Sequence, residues 1–117
     1  MAKSRKSPIK PRAHAFSLQD GRCYYCGQPM WTKKNLRKFL SRFNVTLPQV
    51  MRFQCTAEHL TAHQDGGTTA QDNIVAACWF CNQQRHRRKT APVPEQFKKL
   101  VQQRMSKGRW HTYRLIS

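Results

Sequence analysis

Acidic side chains are scarce in this chain: five Asp and Glu stand against 22 Lys and Arg, giving a formal charge of +17. Nucleic acid is the first partner to expect of so strong a positive field, and an anionic membrane surface the second. Long apolar runs are missing as well. No stretch approaches the roughly 18 apolar residues of a membrane span, and the basic start lacks the apolar run of a secretory signal. A cytoplasmic location without a membrane partner is therefore expected. There, thiols stay reduced, so the five Cys read as metal ligands rather than disulfide partners. A chain of 117 residues builds one modest core, which a metal staple would support.

Residues 1–13, MAKSRKSPIKPRA, carry cations and two prolines with almost nothing to bury. They read as a disordered basic arm, leaving 14–117 as a single domain. Over 32–43, Leu36, Phe39, Leu40 and Phe43 share a helical face, with Thr32 as N-cap. Asn44 to Pro48 reads as a turn, and the alternation from Val50 predicts a strand ending near His59. HQDGGTTAQD is a loop, in which Asp65 and Asp72 read as turn and cap residues. NIVAA predicts a second strand, CWFC a knuckle and NQQRHRRK a helix. A proline-marked, glycine-stopped segment predicts a C-terminal helix over about 94–107.

Cys23 with Cys26 and Cys78 with Cys81 form two C-x-x-C pairs separated by 51 residues. Two such knuckles bring four thiolates to the tetrahedral separation that zinc prefers, and closing so long a loop is where a metal clip contributes most. One structural zinc is expected. Cys55 reads as a small buried residue. His14, His63 and His111 receive no role, and Trp110 and Tyr113 read as packing residues.

Given so few carboxylates, Glu58 directly beside His59 stands out. On a strand end the two can serve different tasks at one place, one binding a cation and one acting on a substrate. Asn82 and His86, four apart on the predicted helix, share a face. With Glu58 they make a mixed oxygen and nitrogen set suited to Mg, Mn or Zn at an open, catalytic site.

The segments EHLTAHQDGG and DNIVAACWFCN, followed by His86, resemble the HNH endonucleases of the ββα-metal type, and the Cys tetrad extends the likeness. The resemblance implies an α+β fold: a small ββα-metal core over about 53–89 with a four-cysteine, zinc-stapled knuckle pair and flanking helices. It implies a divalent-metal-dependent endonuclease that hydrolyses phosphodiester bonds, nicking or cutting double-stranded DNA with low sequence specificity and leaving 3'-hydroxyl and 5'-phosphate ends. By the same resemblance, Glu58 is the acidic metal ligand, His59 the general base, Asn73 the residue that ties the loop and holds the His59 ring, and Asn82 and His86 the helix positions facing the metal. Asn82 departs from members with His there. Arg85, Arg87, Arg88 and Lys89 around His86 are expected to meet the phosphate backbone, with the protein a monomer or homodimer. Phage or mobile-element settings employ such enzymes. The alternative is a non-catalytic zinc-bound nucleic-acid-binding module.

Overall fold

The computed structural model describes residues 8–61, 66–67 and 70–116. His63 and Asp65 lie outside them. Helix α1 spans Ile9–Leu18, α2 Leu36–Arg42 and α3 Leu47–Arg52; strands β1 (Cys55–His59) and β2 (Ile74–Cys78) follow, then α4 (Trp79–Arg85) and α5 (Pro94–Ser106). This is the expected small α+β architecture, and α5 lies where the proline and glycine signals place it.

The two strands pair antiparallel, with Cys55 opposite Cys78, Glu58 opposite Val75 and His59 opposite Ile74. Their buried positions, Cys55 and Glu58 on β1 and Ile74, Ala76, Ala77 and Cys78 on β2, tie the sheet into a core with Tyr25, Met30, Phe97 and Val101. Tyr25 meets Phe97 edge-on at 4.9 Å between ring centroids. The first Cys pair sits on a tight turn, where Cys23 N–H donates to Gln28 O (2.9 Å) and Gly27 N–H to Cys23 O (3.0 Å). Gly27 has φ +75°, a left-handed conformation that glycine adopts without a Cβ clash. Tyr24 N–H then reaches Ala76 O at 2.9 Å, fastening the turn to β2.

Four local expectations are corrected. The arm assigned to 1–13 is helical from Ile9, because α1 packs on the sheet: Ala15 is buried, and the Gln19 amide brackets Ala76, accepting from its N–H (2.9 Å) and donating to its carbonyl (2.8 Å). Pro11, within the first turn, gives up an N–H that has no intrahelical partner there. Helix α2 begins at Leu36 rather than Thr32, since Asn35 Oδ1 accepts from the Thr32 backbone N–H (2.5 Å) and hydroxyl (3.2 Å) and holds 32–35 as a turn. Phe39 is buried, whereas Leu40 is exposed.

The third correction concerns 47–52, where a turn through Pro48 and a strand from Val50 are expected. Thr46 and Gln49 form a reciprocal capping box with Pro48 in the first turn, and that helix-start chemistry overrides the alternation. Replacing Thr46 with Ala leaves the Gln49 N–H without its 3.4 Å acceptor and should cost about 1 kcal/mol in urea unfolding. In the fourth, α4 starts at Trp79, three residues before the predicted helix. The Cys78 sulfur caps it by accepting from Cys81 N–H, so the second knuckle is the helix's own first turn.

Candidate metal and nuclease site

Two clusters of chemistry-bearing residues flank α4. At its start, the sulfurs of Cys23, Cys26, Cys78 and Cys81 all lie within 4.8 Å of one another, and all four residues are buried. Cys26 Sγ and Cys78 Sγ are 3.9 Å apart. Four thiolates about 2.3 Å from one zinc ion stand about 3.8 Å apart, so the cluster fits a structural metal of that kind. Backbone N–H groups point at the sulfurs, Tyr25 N and Cys78 N at Cys23 Sγ (3.4 and 3.3 Å) and Cys81 N at Cys78 Sγ (3.4 Å). Such donors favour thiolate over thiol. Burial, with the neighbouring sulfurs, pushes the Cys78 and Cys81 thiols up, whereas at Cys23 burial is outweighed by hydrogen bonds from Cys26, Cys78 and Cys81, which hold the thiol well below its ordinary range. Cys55 stays apart as a small buried residue, its thiol pushed up to about 11 by burial.

Sequence reasoning missed two members of this site. Trp110 Nε1–H donates to Cys81 Sγ at 3.2 Å. His111 Nε2 lies 3.3 Å from Cys26 Sγ, while its Nδ1 lies 3.2 Å from Arg52 Nη2. A guanidinium only donates, so Nδ1 accepts and Nε2 carries the proton toward sulfur. Burial, aided by the Arg52 charge, lowers the His111 pKa to about 4 and keeps the ring neutral. Arg52 in turn lies 3.7 Å over the Phe80 ring. Positions 29 and 85 residues from their cysteine partners obey no spacing rule. The one available signal was a Trp-His pair shortly after the glycine stop of α5, separated from Gly108 by Arg109.

At the other end of α4, Glu58 is 1% exposed, yet it is an acid with three partners. Oε1 stands 2.8 Å from His86 Nε2. Oε2 accepts from Arg85 Nη1 (3.1 Å) and the Tyr25 hydroxyl (3.0 Å). Burial and the Glu58 charge push the Tyr25 pKa far up, so it remains a neutral donor. His86 follows the last residue of α4, its side chain a third exposed. The carboxylate therefore meets the exterior on its His86 side.

Arg85 corrects an expectation. Rather than facing phosphates it is buried. Besides Glu58 it donates to His59 O, Leu60 O and Pro92 O, each at 3.0 Å. It thus anchors the end of β1 to α4 and to the approach of α5. Arg87, Arg88 and Lys89 are exposed, in the bend after α4 rather than on a helix.

Asn73 grips the peptide of Thr61 with both arms of its amide, accepting from the N–H (2.8 Å) and donating to the carbonyl (3.1 Å). Its own carbonyl accepts from Leu60 N–H at 2.9 Å. The backbone leaving His59 is thereby held to the residue just before β2. Asn82 ties α4 to β1, its Nδ2 donating to Thr56 Oγ1 (3.0 Å) and Ala57 O (3.3 Å), so its nitrogen is committed to the strand. The structure brings Glu58, His86 and Arg85 together directly, and places His59, Asn73 and Asn82 on the elements bordering them.

An antiparallel strand pair running straight into a helix, with a carboxylate of the first strand against an imidazole at the helix end, defines a ββα domain stapled by a cluster of four cysteines. Residues 44–88 match the model of the HNH endonuclease family. The matched stretch runs from just before α3 to the basic bend after α4. The family acts on nucleic acid and uses a divalent metal. No curated protein matches the chain.

Proposed function

We propose that the protein is a divalent-metal-dependent DNA endonuclease. One observation carries the reading: the 2.8 Å between Glu58 Oε1 and His86 Nε2 is close to the roughly 3 Å that separates two adjacent ligands of an octahedral ion at about 2.1 Å. Such an ion, when bound, neutralises charge at the scissile phosphate and its leaving oxygen. Glu58 and His86 would hold it, with the Asn82 amide oxygen available as a third ligand. The Arg85 and Tyr25 contacts fix the carboxylate so that Oε1 is the oxygen presented.

His59 acts as general base. Neutral imidazole, with an ordinary pKa of about 6.5, takes a proton from the attacking water. Asn73 positions it by clamping the peptide just beyond. Phosphates are met by Arg87, Arg88 and Lys89, mostly through the backbone and with little base reading, so binding falls steeply with salt. The unit acts as monomer or homodimer, and one site cuts one strand per encounter.

A second reading has a specific observation behind it. Both Glu58 oxygens already have protein partners, as they would in a purely structural ion network of a zinc-bound nucleic-acid-binding module. Supercoiled plasmid incubated with Mg, Mn or Zn separates the two. Metal-dependent nicking that His59→Ala and His86→Ala each reduce by at least about a thousandfold supports the nuclease. Nicking absent with every metal, or unchanged in both variants, leaves the binding module.

A further inference from the structure

Beyond the basic bend lies a cavity of about 560 Å³ between the end of α4 and α5. Phe97, Leu100 and Trp110 supply its apolar wall, and Arg87, Arg88 and Arg104 its charge; no acidic residue lines it. Among the described residues the ion pairs are those of Glu58 with Arg85 and His86, so none of these three guanidiniums has a carboxylate at ion-pair distance. Folding holds like charges around one concave space, an arrangement that an anion relieves.

The shape selects among anions. A free phosphate leaves the apolar wall unused, and a DNA duplex is too wide to enter. One unpaired nucleotide satisfies both parts, its base against Leu100 and the accessible side of Trp110 and its flanking phosphates on the arginines. The geometry points to this groove as a binding site for an unpaired stretch of DNA, entering beside His86 and running toward α5. This rests on the nucleic-acid reading above and deepens it, since it gives the enzyme a preference for frayed, gapped or branched DNA over continuous duplex. Arg87 and Arg88 then belong to the single-stranded path, and Arg104, far along the sequence, joins them through the fold alone.

The test measures fluorescence anisotropy of labelled oligo-dT, and of a blunt duplex of equal length, with the zinc-loaded full chain and no added magnesium or manganese. Arg104→Glu and Arg88→Glu should each weaken oligo-dT binding about tenfold, whereas Lys107→Glu, an equal charge change on an exposed residue outside the lining, should weaken it no more than about twofold. For the duplex, Arg104→Glu and Lys107→Glu should have equal effects. Absence of oligo-dT binding by the unaltered protein, equal losses for Arg104→Glu and Lys107→Glu on oligo-dT, or an equally large Arg104→Glu loss on duplex would each overturn the groove. Because nothing is cleaved in this assay, a protein that binds oligo-dT as described but never nicks plasmid retains the groove and loses the nuclease assignment.

Discussion

Cys81→Ser, or prolonged chelation of the unaltered protein, is expected to abolish cooperative unfolding and leave the chain largely unfolded at 25 °C. The reason is the position of the cluster. Cys78 caps α4 and ends β2, while Cys23 and Cys26 sit on the turn fastened to Ala76, so the four sulfurs join the turn, the strand and the helix at one point. Five of the buried apolar residues are the cysteines themselves, and without an ion four of them are polarisable groups crowded together rather than a filled core. Structural zinc contributes about 10 kcal/mol or more in small metal-dependent domains, which is as large as the whole stability expected of a chain this size. The Trp110 and His111 donors add to the loss, because α5 and the segment after it are docked through the same sulfurs. Far-ultraviolet circular dichroism with zinc titration checks this: signal restored at one equivalent of zinc supports it, and an unchanged melting profile after complete removal of metal contradicts it.

How much of this was legible beforehand depended on whether the signal was local. Cysteine spacing announces the tetrad because each pair is a short turn and the ligands are of one type. The Glu58-His59 dipeptide and the Asn82-to-His86 interval drew notice for the same reason, each being a pair of near neighbours along the chain, and the structure brings Glu58 and His86 to 2.8 Å. Errors arose where two local signals competed, as at Thr46 to Arg52, where a capping box outweighed alternation. They also arose where burial reversed a surface expectation. Arg85 sits among Arg87, Arg88 and Lys89 and reads like them, but its partners, Glu58 and the carbonyls of His59, Leu60 and Pro92, come from other elements that its own neighbours do not announce. Trp110, His111 and Arg104 owe their roles to the docking of α5, a long-range event with no trace in spacing.

Glu58→Gln is expected to do double damage, in contrast to His86→Ala. The glutamine keeps the shape but removes the charge facing Arg85, a buried cation whose remaining partners are the carbonyls of His59, Leu60 and Pro92. Breaking a buried pair in this way costs about 3–5 kcal/mol, because the surviving charge is still desolvated. Nicking should be lost as well, since an amide oxygen is a poor substitute for a carboxylate at a hard cation. His86→Ala removes a partly exposed ring at the helix end, so its stability cost should stay within about 1 kcal/mol. It should nevertheless lower nicking as far as Glu58→Gln does, because in the proposed site both side chains would hold one ion. Urea denaturation and plasmid nicking on the same preparations separate the two effects. Equal activity losses with unequal stability losses are what a shared metal site over a buried arginine anchor requires. Were His86→Ala to leave activity intact, His86 would be only a hydrogen-bond partner of Glu58, and the cation would have to be held by Glu58 and Asn82 without it.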